Sequence, residues 1–210
     1  MKLELWMDCY FPKEERKGTK NLTFNNFHHE GELDLKDFSN LESLTIMNSN
    51  KITNVKNIGK CLQLKKLTLL MRYGNLVNLD LSKNLKLTKI SIHSGGKLIA
   101  DLAMFAKMTE LEYLDIGGVG YKDPANKFYG SLSSLKDCKK LKFLDVSFNQ
   151  GINKGLEDLP IHLFRKERFY GTGILEQLEP FEYDINVWHM VSKKGWKNRL
   201  KSWLPFGSKK

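Results

Sequence analysis

Apolar residues recur along this chain in a single phase. Leu41-x-x-Leu44-x-Ile46 returns as Leu64-x-x-Leu67-x-Leu69, Leu87-x-x-Ile90-x-Ile92, Leu111-x-x-Leu114-x-Ile116 and Leu141-x-x-Leu144-x-Val146. The first leucines are separated by steps of 23, 23, 24 and 30 residues. Side chains alternate along an extended chain, so the fourth and sixth residues of each unit share one face and the residues between them share the other. This alternation predicts short strands near 22–24, 44–46, 67–69, 90–92, 114–116 and 144–146, with a weaker one near 167–170. The outgoing half of several units has apolar residues at steps of three: Ile52, Val55, Ile58; Ile99, Leu102, Phe105, Met108; Leu132, Leu135, Cys138. Those segments are expected to wind as short helical or 3-10 pieces.

A unit of this size cannot bury its own apolar edge, but stacked copies bury a continuous one. A period in the twenties with this leucine spacing is the pattern of a leucine-rich-repeat solenoid. The expected fold is α/β, with a curved parallel sheet on the concave side and short helical or 3-10 segments on the convex side. An N-terminal capping helix is expected at one end and a helical tail at the other. The divisions are a cap over 1–21, repeats over 22–166, a C-terminal cap over 167–185 and a basic, tryptophan-rich tail over 186–210. An ordinary α/β domain with leucine-rich strands accounts less well for five matches in one phase. In the last unit Asn149 stands eight residues after Leu141, where its amide can bond the backbone of a tight turn. The equivalent positions hold Ser49, Arg72, Gly95 and Val119, so the asparagine ladder reads as mostly missing.

Further segments carry a resemblance. Tyr10-Phe11-Pro12-Lys13-Glu14-Glu15-Arg16 precedes Leu22-Thr23-Phe24, and Gly31-Glu32-Leu33-Asp34-Leu35-Lys36-Asp37-Phe38 leads into the first unit. Asn126-Lys127-Phe128-Tyr129-Gly130 stands before the last unit; Gly155-Leu156-Glu157-Asp158-Leu159-Pro160 and Phe169-Tyr170-Gly171-Thr172 follow it. Over about residues 5 to 190 the chain resembles the leucine-rich-repeat proteins greatly expanded in mycorrhizal fungi. The resemblance implies a repeat module capped at both ends, and a regulatory or scaffolding role.

On such a fold the outward strand residues line the concave face in three rows. One row is Ser43, Lys66, Lys89, Tyr113 and Phe143; the central row is Thr45, Thr68, Ser91, Asp115 and Asp145; the third is Met47, Leu70, His93, Gly117 and Ser147. The face is basic at one end and acidic with aromatics at the other. Interfaces centre on aromatic anchors, so Tyr113, Phe143 and the nearby Phe148, with Lys66, Lys89, Asp115 and Asp145, are the candidate contacts for a protein partner. A solvated face with scattered apolar residues is the competing reading. The long last step contains Gly117-Gly118-Val119-Gly120-Tyr121-Lys122-Asp123-Pro124, whose glycines and proline mark a surface loop.

Charge changes the picture mainly at the C-terminal end. The formal charge is +10, and residues 185–210 hold seven Lys or Arg and no acid, so the other residues together carry only +3. Lys193, Lys194, Lys197, Arg199 and Lys201 interleave with the tryptophans; on a helical wheel Trp196, Leu200, Trp203 and Leu204 share one side, and Lys194, Lys197 and Lys201 lie largely opposite. Such a tail reads as a surface for anionic membranes or a calmodulin-like partner. A packed or frayed basic end is the plainer alternative, and nucleic acid is disfavoured because no motif supports it. The absence of a long apolar run or a leader, and three scattered cysteines (Cys9, Cys61, Cys138), point to free thiols in a cytoplasmic, reducing setting.

Signals for chemistry are weak. His28-His29-Glu30 lacks further ligands at metal-site spacing. Gly171-Thr172-Gly173 is not followed by a phosphate-loop lysine motif. Asp115 and Asp145 fall in one row on adjoining strands, but paired carboxylates on an open sheet are more often partner contacts than an acid–base couple. The expectation is a non-catalytic binding module with no cofactor and no metal.

Overall fold

A computed structural model of the chain describes residues 1–71, 76–94, 98–118 and 126–174. Six strands form one parallel sheet in the order β1 (Asn21–Asn25), β3 (Ser43–Met47), β5 (Lys66–Met71), β6 (Lys89–Ser94), β8 (Tyr113–Asp115) and β10 (Phe143–Asp145). The pairing register is the repeat itself: Leu44 opposite Leu67, Leu67 opposite Ile90, Ile90 opposite Leu114, and Leu114 opposite Leu144. The inward pairs Leu44/Ile46, Leu67/Leu69, Ile90/Ile92, Leu114/Ile116 and Leu144/Val146 are all fully buried. Leu22 and Phe24 place the same pair on β1. Burial of such a ladder is the main favourable term in the fold.

The opposite wall departs from the expected helical pieces. It has 3-10 turns at Ile58–Lys60, Leu102–Phe105 and Leu132–Leu135, but strands precede them. β2 (Gly31–Asp34) pairs with β4 (Ile52–Lys56); β7 (Ile99–Asp101), β9 (Lys127–Ser131) and β11 (Gly151–Lys154) form a three-stranded parallel ladder. Ile99, which the step of three assigned to the buried wall, is instead 62% exposed, while Ala100 beside it faces inward. A strand alternates with period two, so only one of those neighbours can point into the core.

Three residues before each first leucine stands a buried column: Phe38, Cys61, Asn84, Met108 and Cys138. The Cys61 thiol donates to the Leu35 carbonyl at 3.8 Å, Asn84 Nδ2 to the Ile58 carbonyl at 3.0 Å, and the Cys138 thiol to the Phe105 carbonyl at 3.6 Å. Each acceptor lies six residues before the first leucine of the preceding turn. The column therefore stitches successive turns as well as filling the core.

The turns that leave the main strands are held by side-chain polar groups. Asn149 Nδ2 donates to the carbonyls of Ile116, Val146 and Ser147 at 2.9, 3.1 and 3.1 Å, and its Oδ1 accepts from Phe128 N at 2.9 Å. One turn earlier the same task falls to Asn126, not to Val119. Asn126 Oδ1 accepts from Ser94 N and Oγ at 2.9 and 2.7 Å, and its Nδ2 donates to the Ile92 carbonyl. Asn126 and Asn149 are 23 residues apart, so residues 119–125 are the insertion that lengthens the last step. Ser49 does a smaller version of the same work, accepting from Phe27 N at 3.0 Å and donating to the Met47 carbonyl at 2.9 Å. The asparagine ladder is thus fuller than spacing alone indicated. Arg72, Gly95 and Val119 lie outside the described residues.

At the N-terminal end the cap consists of α1 (Leu3–Tyr10) followed by the short α2 (Lys13–Arg16). Leu3 and Met7 bury one face of α1, and Leu3 N bonds the Glu30 carbonyl at 2.9 Å. Arg16 is buried, with its guanidinium on Asp8, on Asp37 at 3.6 Å, on the Phe11 carbonyl at 2.8 Å and over the Phe38 ring at 5.8 Å. At the other end the weak strand expected near 167–170 is instead helical, α3 (Lys166–Phe169). The segment still extends the main ladder: Val146 N bonds the Arg168 carbonyl at 2.9 Å and Phe148 N the Tyr170 carbonyl at 2.6 Å. The basic tail, including Trp196, Lys197, Arg199, Leu200, Lys201 and Trp203, lies outside the described residues.

Candidate functional site: the concave sheet

The parallel register sets the three rows side by side. Ser43, Lys66, Lys89, Tyr113 and Phe143 are consecutive partners, as are Thr45, Thr68, Ser91, Asp115 and Asp145. Asn21 and Thr23 of β1 extend these two rows at the N-terminal end. Neighbouring strands are about 4.8 Å apart, which is close enough for side chains in one row to touch.

At the C-terminal end they do touch. The Tyr113 and Phe143 rings stack with centroids 4.2 Å apart and planes 9° from parallel. Lys89 Nζ lies 4.7 Å from the Tyr113 centroid, and the Arg168 guanidinium carbon 4.0 Å from that of Phe143. The result is one column of cation, ring, ring and cation, in which the ring quadrupoles attract the two cations and the stack covers the apolar ring faces. The outer ring faces are therefore already covered. The two aromatics, read from sequence as open anchors, present their edges to a partner instead. Lys66 stands next to Lys89 in the row and is exposed.

The central row carries an acidic pair on the same two strands. Asp115 Oδ1 lies 3.0 Å from His93 Nε2, and Asp115 Oδ2 accepts from Ser91 Oγ at 3.3 Å. Asp145 Oδ1 accepts from Ser147 N at 3.0 Å and Ser147 Oγ at 2.7 Å. Burial pushes the Asp145 carboxyl above the usual aspartate range; the Ser147 hydrogen bonds oppose that, and the Asp115 charge adds to it. Burial, then the charges of Asp115 and Asp145, raise the Tyr113 hydroxyl as well. Gly117 makes room for this arrangement, because a Cβ there would land on the Asp145 carboxylate and 2.6 Å from Ser147 Oγ.

Phe148 does not join these rows. It sits in the turn after β10 with φ 60°, where the corresponding residue of the first unit is Asn48 at φ 51°. Its ring meets Tyr170 edge-on at 5.7 Å, and Gly171 packs against it. Left-handed backbone is uncommon for a bulky residue, so Phe148 is held there by that packing. Arg168 is the contact that sequence reasoning missed: it comes from a segment read as a strand, and no spacing rule links it to Phe143.

Elsewhere, His29 Nδ1 contacts the Met1 carbonyl at 2.9 Å and its ring lies against Phe27 and Trp6, which makes it part of the N-terminal aromatic cluster. Thr172 is buried, with its hydroxyl on the Phe169 carbonyl at 2.6 Å. Among the described residues no group of three or more His, Cys, Asp or Glu is placed to hold a metal, and no helix is long and apolar enough to cross a membrane.

A parallel solenoid of about five turns, with a leucine ladder inside and a strand-lined face outside, is a leucine-rich-repeat fold. One solved structure agrees, and two more are similar at a lower level. An internalin of Listeria monocytogenes superposes with TM-score 0.50 and 20% identity over 69% of this chain. A second Listeria monocytogenes internalin gives 0.40 and 20% over 72%, and a leucine-rich-repeat protein of Leptospira interrogans 0.45 and 16% over 76%. The chain spans 38%, 70% and 56% of the length of those three. No protein-family model matches the chain, and comparison with curated proteins gives no match.

Proposed function

We propose that this protein is a non-catalytic interaction module that holds a protein partner on its concave sheet, as a regulator or scaffold. The observation that carries the reading is the Lys89–Tyr113–Phe143–Arg168 column lying beside the Asp115–Asp145 pair. A rigid flat apolar edge next to a desolvated carboxylate gives a partner both an area to cover and a charge to meet. Asp145 is the strongest point of selection, because a partner cation there relieves a burial cost already present in the free protein. Lys66 and Lys89 at the basic end disfavour a uniformly cationic partner and set its direction along the sheet. The three free thiols suit a reducing compartment such as the cytoplasm.

The test is co-purification by the full chain against the variant carrying Tyr113→Ala, Phe143→Ala and Asp145→Ala, with circular dichroism to confirm that the variant is folded. Loss of a stoichiometric partner by the folded variant is the expected result. Retention of every partner would reject the concave face as the binding surface.

A further inference from the structure

The outgoing-side wall is interrupted at one turn. β2–β4 and β7–β9–β11 are separate ladders, and the segment between them, residues 76–80, joins neither. Nine residues before its first leucine the third unit has Asn78, which is exposed, where the units on either side have Val55 and Leu102 buried. β4 and β7 are left as edges two turns apart, about 10 Å by the ordinary strand spacing.

Between them lies a cleft of about 780 Å³. Leu79, Met104, Ile99 and Tyr129 supply its apolar surface; Ile99 and Tyr129 are 62% and 45% exposed. Its edges are chemically unfinished. Lys56 O bonds back toward β2, so alternation turns the Val55 amide to the cleft, where it is met only by the side-chain oxygen of Asn54 at 2.9 Å. On the far side Leu98 O bonds β9, which turns the backbone of Ile99 and Asp101 to the cleft. An open strand edge is a template for another strand.

The charges select the incoming strand. Lys60 and Lys83 line the wall between β4 and residues 76–80, and neither forms an ion pair among the described residues. The acids of the cleft are held by backbone amides, Asp80 by Ser82 N and Asp101 by Ala103 N at 2.9 and 2.8 Å, and Lys83 acts on Asp80 from beyond ion-pair distance. We propose that this cleft takes an extended, acidic segment of a partner protein as an added strand, its backbone on the β4 and β7 edges, an apolar side chain on Ile99 and Tyr129, and a carboxylate between Lys60 and Lys83. This second surface is independent of the concave face.

The probe is a short, capped, fluorescent peptide of alternating valine and glutamate, measured by anisotropy against the full chain. Saturable binding is expected, weakened by salt and reduced about tenfold by Lys60→Glu with Lys83→Glu, as charge reversal at a facing pair requires. The same peptide methylated on alternate backbone nitrogens should not bind, since strand addition uses main-chain hydrogen bonds. The concave variant Phe143→Ala should bind like wild type. No binding, equal binding of a valine–lysine peptide, or full binding of the methylated peptide would each overturn the proposal.

Discussion

Single polar side chains decide where this solenoid is tight. Asn149 makes four buried hydrogen bonds to backbone groups, of which the Ser147 carbonyl also accepts from Gly118 N and the Ile116 carbonyl from Asn126 Nδ2. Asn149→Ala should therefore cost about 3 kcal/mol, several times an exposed polar deletion, with the loss read from urea unfolding midpoints. Asp145 behaves in the opposite sense. Its carboxyl is raised by burial, so the native state binds its proton more tightly than the unfolded chain does. Its ionisation then costs stability as pH rises through the folded value, and the cost is relieved as pH falls toward the ordinary aspartate value. Asp145→Asn should stabilise the protein at neutral pH, and the gain should shrink toward zero in acid; a gain that persists or grows at low pH would contradict the burial argument. The inward leucines were legible from spacing alone. Asn126 was not, because seven inserted residues displaced it from its phase. The Arg168–Phe143 contact was not either, because it joins segments that follow different local patterns.

At the scale of elements, two joints hold the stack at opposite ends. Gly117 follows β8, where its missing side chain is what admits the Asp145 carboxylate. Gly117→Ala should cost about 2 kcal/mol by overpacking and should displace the Asp145 carboxylate, which titration of Asp145 by NMR would detect. The cap is fastened through Arg16, whose two acidic partners are much more exposed than it is: side-chain exposure is 8% for Arg16 against 48% for Asp8 and 35% for Asp37. Removing the acids strands a buried cation, whereas removing the arginine leaves carboxylates that water can reach. Asp8→Ala with Asp37→Ala should therefore destabilise the protein more than Arg16→Met, in a comparison of thermal midpoints. The main strands were legible because their period of two is phase-locked to the leucines. The 3-10 turns of the outgoing side were expected and are present, but the strands before them were missed because Ile52/Val55/Ile58 and Ile99/Leu102/Phe105 each straddle a strand and the 3-10 turn after it. A step of three across such a junction imitates a helix face.

Over the whole molecule, stability is a chain of nearest-neighbour terms, and the buried thiols report on separate links of it. Cys61 lies in the second turn and Cys138 in the fifth; both are free, buried and pushed up to about 11 by burial, while Cys9 is exposed. A thiol reagent reacts through the thiolate and needs access, so one cysteine should react at once in the native protein and two only through opening. Opening in a solenoid is local, hence the two slow rates need not agree. Asn84 ties the second turn to the third by donating to both the Ile58 and Cys61 carbonyls at 3.0 Å. Asn84→Ala removes both of those bonds and leaves each carbonyl only its backbone partner, Cys61 N and Leu64 N, at a cost of about 2 kcal/mol, and that loss falls on the turn that shields Cys61. In mild urea the variant should therefore label faster at Cys61 than wild type by a larger factor than at Cys138, as peptide mass spectrometry would resolve. An equal acceleration at both sites would mean that the turns open together, and that the interrupted wall at the third turn does not divide the stack.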